Sequence, residues 1–312
     1  MRVTENTIAT MVLSSLQQGM ERLGNLQQQV SSGLKLNSPS DDPISAQQVV
    51  MLKGLLQNGN QYARNITTGN AWLTASDSAM SEMANDVTSA TEVAQEMANG
   101  TYTATDRSNA VTQLKQLKSQ LIQLGNTQIA GNYIFGGFVS NSPPFDTTVN
   151  TNTSDPLYGT PSGNYVGTDD AVNMEVANSS YVAINYSGGK LLRGGTPPGS
   201  SGVDLIGQLN SLITALSNND VSGVQSALPA LNSALEQITN ARTDIGARMT
   251  RVQSASSSLD SANLSLSTMI SDKQDADILK VTSDLTQQQN AYQVALATSA
   301  KISQLSLLDY LK

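Results

Sequence analysis

SSGLKLNSPSDDP, Ser31–Pro43, separates two long runs of helical periodicity, and its reading decides how the rest of the chain is organised. Gly33 follows the last apolar residue of the first run, where a left-handed residue ends a helix without steric penalty. Asp42 and Pro43 open the second run: a carboxylate caps orphan backbone N–H groups, and proline suits the first helical position. Between them Pro39 disfavours helix at Ser38, so the segment is extended or turning. The stretch therefore reads as a joint between two rods. Gly33, Asn37, Pro39, Asp41, Asp42 and Pro43 are its candidate hinge and cap residues. Paired Asp41 and Asp42 ahead of a proline read as caps rather than as an acid–base pair.

Before the joint, Leu16, Leu23 and Val30 stand seven apart with Leu13, Met20 and Leu26 between them, which predicts one amphipathic helix over about Thr7–Ser32. After it, Leu52, Gly59, Ile66, Leu73, Met80, Val87 and Ala94 step by seven. A second row, from Leu55 through Gly69 and Met83 to Met97, lies three residues later each time, which makes a sustained a/d seam. A further helix follows "TATD", with Ala110, Leu114, Leu117, Leu121 and Leu124 on one face.

The C-terminal half mirrors this. Leu205, Leu209, Leu212 and Leu216 form a short stripe, and Leu231, Ile238, Ile245, Val252, Leu259 and Leu266 keep seven-residue spacing. Pro229 predicts a start or kink of that helix nearby. The last stretch places Ile278, Leu285 and Tyr292 in one row and Val281 and Ile302 in another, with Leu305 and Leu308 continuing the apolar face.

From about Gly131 to Gly202 the periodicity vanishes and Gly, Pro, Asn, Thr and Ser become dense. Short β-type runs such as "NYIFGGF" and "SYVAINY" carry most of the aromatic residues, with Tyr133, Phe135 and Phe138 expected in a β core. The expected architecture is mainly α: an elongated helical bundle of long coiled-coil helices from both chain halves, with a small inserted β-rich domain. Its expected domains are terminal helices over 1–42 and 273–312, a bundle over 43–130 and 203–272, and the insertion over 131–202.

Composition narrows the function. With no Cys and no His, thiolate nucleophiles, His-containing triads and Cys/His zinc sites are excluded. A formal charge of −8 without a basic cluster argues against nucleic acid. No stretch approaches the roughly 20 apolar residues of a membrane span, and the first residues lack the pattern of a secretory signal. Asp272, Asp275 and Asp277 lack the glycine turn and terminal Glu of a calcium loop and read as a solvated helix face. No cofactor and no enzymatic activity are expected.

The terminal helices are the unusual part. Each carries one thin apolar stripe, and burying a Leu or Ile is worth about 1.5–3 kcal/mol against about 1–2 kcal/mol of backbone entropy for each ordered residue. Such helices become fully stable only against other copies or partners. Leu13, Leu16, Met20, Leu23, Leu26, Val30, Ile278, Val281, Leu285, Tyr292, Ile302, Leu305 and Leu308 are the candidate subunit-assembly residues.

These residues carry a family resemblance. SSGLKLNSPSDDP resembles the joint of bacterial flagellins and their junction proteins, and "QDADILKVTSDLTQQQNAYQVALATSAKISQLSLLDYLK" is similar to the matching C-terminal segment. "NGTYTATDRSNAVTQLKQLKSQLIQLGNT", "YIFGGF" and "DIGARMTRV" resemble the FlgL-type hook–filament junction branch of that family. The resemblance implies a structural subunit exported by the flagellar type III apparatus without a cleaved signal peptide and sited in the extracellular flagellum. It also implies a ring of copies between a FlgK-type junction protein and flagellin, with a FlgN-type export chaperone bound near the C-terminal helix. The alternatives are a flagellin filament subunit, or a secreted coiled-coil adhesin or effector.

Overall fold

The structure is a computed structural model that describes residues 5–310; side chains are described except at 5, 6, 8, 9 and 302–310. Six α-helices account for most of it: α1 (Glu5–Ser32), α2 (Pro43–Met97), α3 (Ala104–Gly125), α4 (Leu205–Ser217), α5 (Val221–Gln274) and α6 (Ile278–Tyr310). Between α3 and α4 lie two antiparallel hairpins, β1 (Gln128–Ile129) with β2 (Asn132–Tyr133) and β3 (Asn173–Ala177) with β4 (Ser180–Ala183). The chain forms two compact units, one from residues up to Gly59 and from Ser261 onward, the other from Asn60 to Asp260.

The helices begin and end where local chemistry dictates. Gly33 adopts φ +72° and closes α1. Thr103 and Asp106 form a reciprocal capping box at the start of α3. Asp204 caps α4 through the Gly207 N–H. α5 does not start at Pro229: it begins at Val221 and carries Pro229 inside its third turn. Residue Ala130 at φ 49° and Gly131 at φ 82° make the two-residue turn that joins β1 to β2.

In the second unit the two α2 rows are buried from Ile66 to Met97, apart from Tyr62 at their margin, and pack with Leu114, Leu121, Leu209, Leu212, Leu231, Ile238 and Ile245 in one cluster. Apolar residues of the insertion join that same cluster, among them Ile134, Phe135, Phe145, Val176 and Leu191. Phe138, expected in a β core, is exposed instead. The "DIGARMTRV" segment explains itself here. Arg248 donates to the backbone carbonyls of Asn185 (2.6 Å) and Ala183 (3.3 Å), and pairs with Asp244 one turn away. Arg251 donates to the Tyr181 carbonyl at 3.4 Å, so two arginines of α5 hold β4 and the residues just after it.

Two ionisable groups sit inside this unit. Lys118 of α3 is 1% exposed and donates to Thr160 Oγ at 3.1 Å; burial pulls its ammonium down to about 8. Asp86 of α2 is buried with Oδ2 lacking any hydrogen-bond partner, and burial, helped by Glu82 one turn earlier, pushes its carboxyl up to about 6.

Candidate assembly surface

The first unit is built on different terms. Val49 and Val281 are its only buried large apolar side chains among the described residues. α1 packs along α6, with Val12, Leu16, Leu23, Leu26 and Val30 half-buried on one side and Leu285, Tyr292 and Ala295 half-buried on the other. The helices approach closely at Gly19, whose absent Cβ would stand 3.3 Å from the Tyr292 ring, and Gln288 donates to the Gly19 carbonyl at 3.3 Å. Sequence periodicity did not single out Gly19; the signal was a glycine inside an otherwise regular helical stripe.

The expected stripe on α1 divides in two. Leu16, Leu23, Leu26 and Val30 lie on the α6 side, whereas Leu13 and Met20 are 59% and 65% exposed. At about 100° per residue, the Leu13–Met20 line runs roughly a quarter-turn round the helix from the covered row. A helix with two adjacent apolar lines suits two neighbours, and the described residues supply one, α6. On α6, Val281 is buried, Leu285 and Tyr292 are half-buried, and Ile278 is exposed. Ile302, Leu305 and Leu308 belong to the α6 backbone, and their side chains lie outside the described residues. Further large apolar residues of this unit face solvent: Ile44, Val50, Met51 and Leu55 on α2, Leu264 and Met269 on α5, and Leu279, Val294 and Leu296 on α6.

The joint is built from its own polar groups. Asp41 Oδ2 accepts from the backbone N–H of Asn37 (3.1 Å) and Ser38 (2.8 Å). Asn37 Nδ2 donates to the Leu34 carbonyl at 3.0 Å, and Pro39 lies in the turn between Ser38 and Asp41. Asp42 accepts from the N–H groups of Ile44 and Ser45, each at 3.1 Å, and from Ser45 Oγ at 2.6 Å, capping the helix that Pro43 begins. The Ser45 hydroxyl foremost, then its N–H, hold the Asp42 carboxyl below the usual carboxylate range.

A second joint, between α5 and α6, meets the first. Leu34 and Asp275 form an antiparallel bridge, with Lys35 N–H donating to the Gln274 carbonyl (2.7 Å) and Ala276 N–H to the Gly33 carbonyl (2.9 Å). Asp277 caps α6 through the Lys280 N–H at 3.1 Å, and Asp275 accepts from Ser271 Oγ. Asp275 and Asp277 thus belong to a joint rather than to a helix face, because a capping carboxylate and an interrupted ladder go together. No cluster of three metal-ligating side chains occurs among the described residues.

The chain matches the model of the bacterial flagellin N-terminal helical region over residues 3–140 and that of the bacterial flagellin C-terminal helical region over residues 228–311. It is 27% identical to flagellar hook-associated protein 3 of Escherichia coli, over 95% of this chain and 97% of that protein. To flagellar hook-associated protein 3 of Salmonella typhimurium it is 26% identical, over 99% of each. Among solved structures, Bacillus cereus FlgL shares the fold with a TM-score of 0.55 at 21% identity, over 71% of this chain and 99% of that one.

Proposed function

The chain belongs to the bacterial flagellin family and is a structural component of the flagellum, and from that premise we propose that copies of it form the junction ring between a FlgK-type protein on the hook side and the flagellin filament. The observation that carries this reading is the exposed apolar line of Leu13 and Met20 beside the half-covered α1–α6 seam. In a ring, the terminal helices of neighbouring copies cover each other's lines and complete a shared inner wall. Covering two such side chains gains about 1.5–3 kcal/mol each, repeated at every copy.

The remaining roles follow from the same arrangement. The bridged joints at 33–42 and 275–277 let the terminal helices adjust where a bending hook meets a stiffer filament. A FlgN-type chaperone covers α6 before export through the flagellar type III apparatus, where Leu279, Val294 and Leu296 are otherwise exposed.

The test uses cells lacking this chain, complemented with Leu13→Asp/Met20→Asp. Both side chains are exposed, so the purified variant keeps its helical content. The cells are expected to carry hooks without filaments and to shed flagellin monomers into the medium. Filaments of normal number and length on those cells would refute the reading.

A further inference from the structure

Glycine is disfavoured inside a helix, so each helical glycine calls for a reason. Gly19, Gly69 and Gly125 have one within the chain: a Cβ there would meet Tyr292, Ile184 and Phe145 at 3.3, 3.0 and 2.6 Å. Gly59 likewise faces the Asn263 side chain. Gly54 has none, since among the described residues no heavy atom beyond its chain neighbours and its own helix backbone lies within 4 Å of the position a Cβ would take. It lies at the centre of the outward face of α2, opposite buried Val49 and half-buried Leu52, and Val50, Met51 and Leu55 around it are all exposed. Gly24 and Gly246 are also open, but neither is ringed by apolar residues in this way. Residues 51, 54, 55 and 58 have the i, i+3, i+4, i+7 spacing of a hole that accepts a side chain from another helix.

A knob of matching character stands in the same unit. Leu279, second residue of α6, is 84% exposed. Three carboxylates, Asp272, Asp275 and Asp277, precede it against two ammonium groups, Lys273 before it and Lys280 after it, whereas α2 from Pro43 to Gly59 carries one charged side chain, Lys53. A ring of more than two copies joins two different patches head to tail, so it requires one knob and one hole on every copy. Resting on the ring reading above, we propose that Leu279 of one copy seats over Gly54 of the next, in the hole framed by Met51, Leu55 and Asn58 with Val50 at its margin, and with the net acidic joint turned toward Lys53.

The chain contains no Cys, so introduced thiols are the only ones it carries. Met51→Cys and an epitope-tagged Leu279→Cys are co-expressed in cells lacking the native chain, and intact flagella are treated with a short bis-maleimide. The expected product is a mixed pair joining the two variants, absent when either is expressed alone. Filament-bearing flagella without the mixed pair would overturn the proposal, as would like-to-like pairs only, or Leu279→Cys joined to a different flagellar protein. Gly54→Leu is expected to abolish filaments, while Gly54→Ala leaves the thermal midpoint of the purified chain unchanged or raised; normal filaments with Gly54→Leu would also overturn it. The ring reading fails separately, if cells without the chain still build filaments.

Discussion

Asp86→Asn isolates the energetic consequence of a charge buried in the bundle. The carboxyl is pushed up to about 6 in the folded chain from the ordinary aspartate value of about 3.9, chiefly because burial removes its water and leaves Oδ2 without a partner. Holding the proton that much more tightly corresponds to about 3 kcal/mol. The raised value means that the folded state binds the proton more tightly than the unfolded one. Stability from this group is therefore full below about pH 4 and is lost as pH rises through 6. Asparagine mimics the protonated acid at every pH. The stability of the variant relative to the parent should thus rise by about 3 kcal/mol between pH 4 and pH 7.5, with most of the change between pH 4.5 and 6.5. Taking the difference cancels the other carboxylates. Urea unfolding followed by the fluorescence of Trp72, the single tryptophan and a half-buried member of the same unit, reads it directly. A difference that stays flat across that range would refute the argument that the buried carboxylate ionises without compensation.

Lys118→Met should show the opposite pH sense: the parent's ammonium is held down at about 8, so the parent gains stability as pH rises from 8 toward 10.5, and the variant, measured by the same unfolding assay, lacks that gain of about 3 kcal/mol. Gly33→Ala forces a Cβ into φ +72° and should lower unit stability by about 1–2 kcal/mol, seen as faster amide exchange at Ala276, whose N–H donates to the Gly33 carbonyl. Asp42→Ala removes the α2 cap and should speed exchange at Ile44 and Ser45 while leaving the buried amides of Val87 and Ala90 unchanged. Gly19→Leu should push α1 from α6, lowering helical content in the purified chain and abolishing filaments on complemented cells.

The rods, their joint and their family were legible because a seven-residue rhythm and capping chemistry are local properties. What covers a stripe is not local. Leu52 and Leu55 obey the same spacing as Leu73 and Met83, yet the first pair is half-buried and exposed while the second is fully buried. Periodicity assigns a face, not a partner. Of the two readings of Pro229, a start or a kink, the start does not hold, because a proline removes one ladder bond and a packed helix continues past it. Lys118 and Asp86 passed unnoticed although each interrupts a buried row, Lys118 between Leu114 and Leu121 and Asp86 between Met83 and Ala90. A charged residue in phase with a core stripe was the signal that would have found them. The insertion's turns were predictable from Gly and Pro, but Phe138 and Phe135 lie three residues apart in one loop, and no sequence period separates the exposed ring from the buried one.

The contrast between the two units follows from where their apolar rows end up. In the Asn60–Asp260 unit, rows from α2, α3, α4 and α5 converge with the insertion's Phe135 and Phe145, so each row is closed by others of the same chain. In the other unit α1 meets α6 along one seam, and among the described residues nothing closes the second line of α1 or the outward face of α2. A two-helix contact gains too little burial to offset the ordering of its own backbone by a wide margin. The stability of that unit is therefore linked to whatever covers its open faces, and it rises with the concentration of that partner. A subunit built this way has a self-sufficient body and terminal helices with open apolar lines, so under the proposed ring the same side chains that limit the isolated molecule would supply the driving force for assembly.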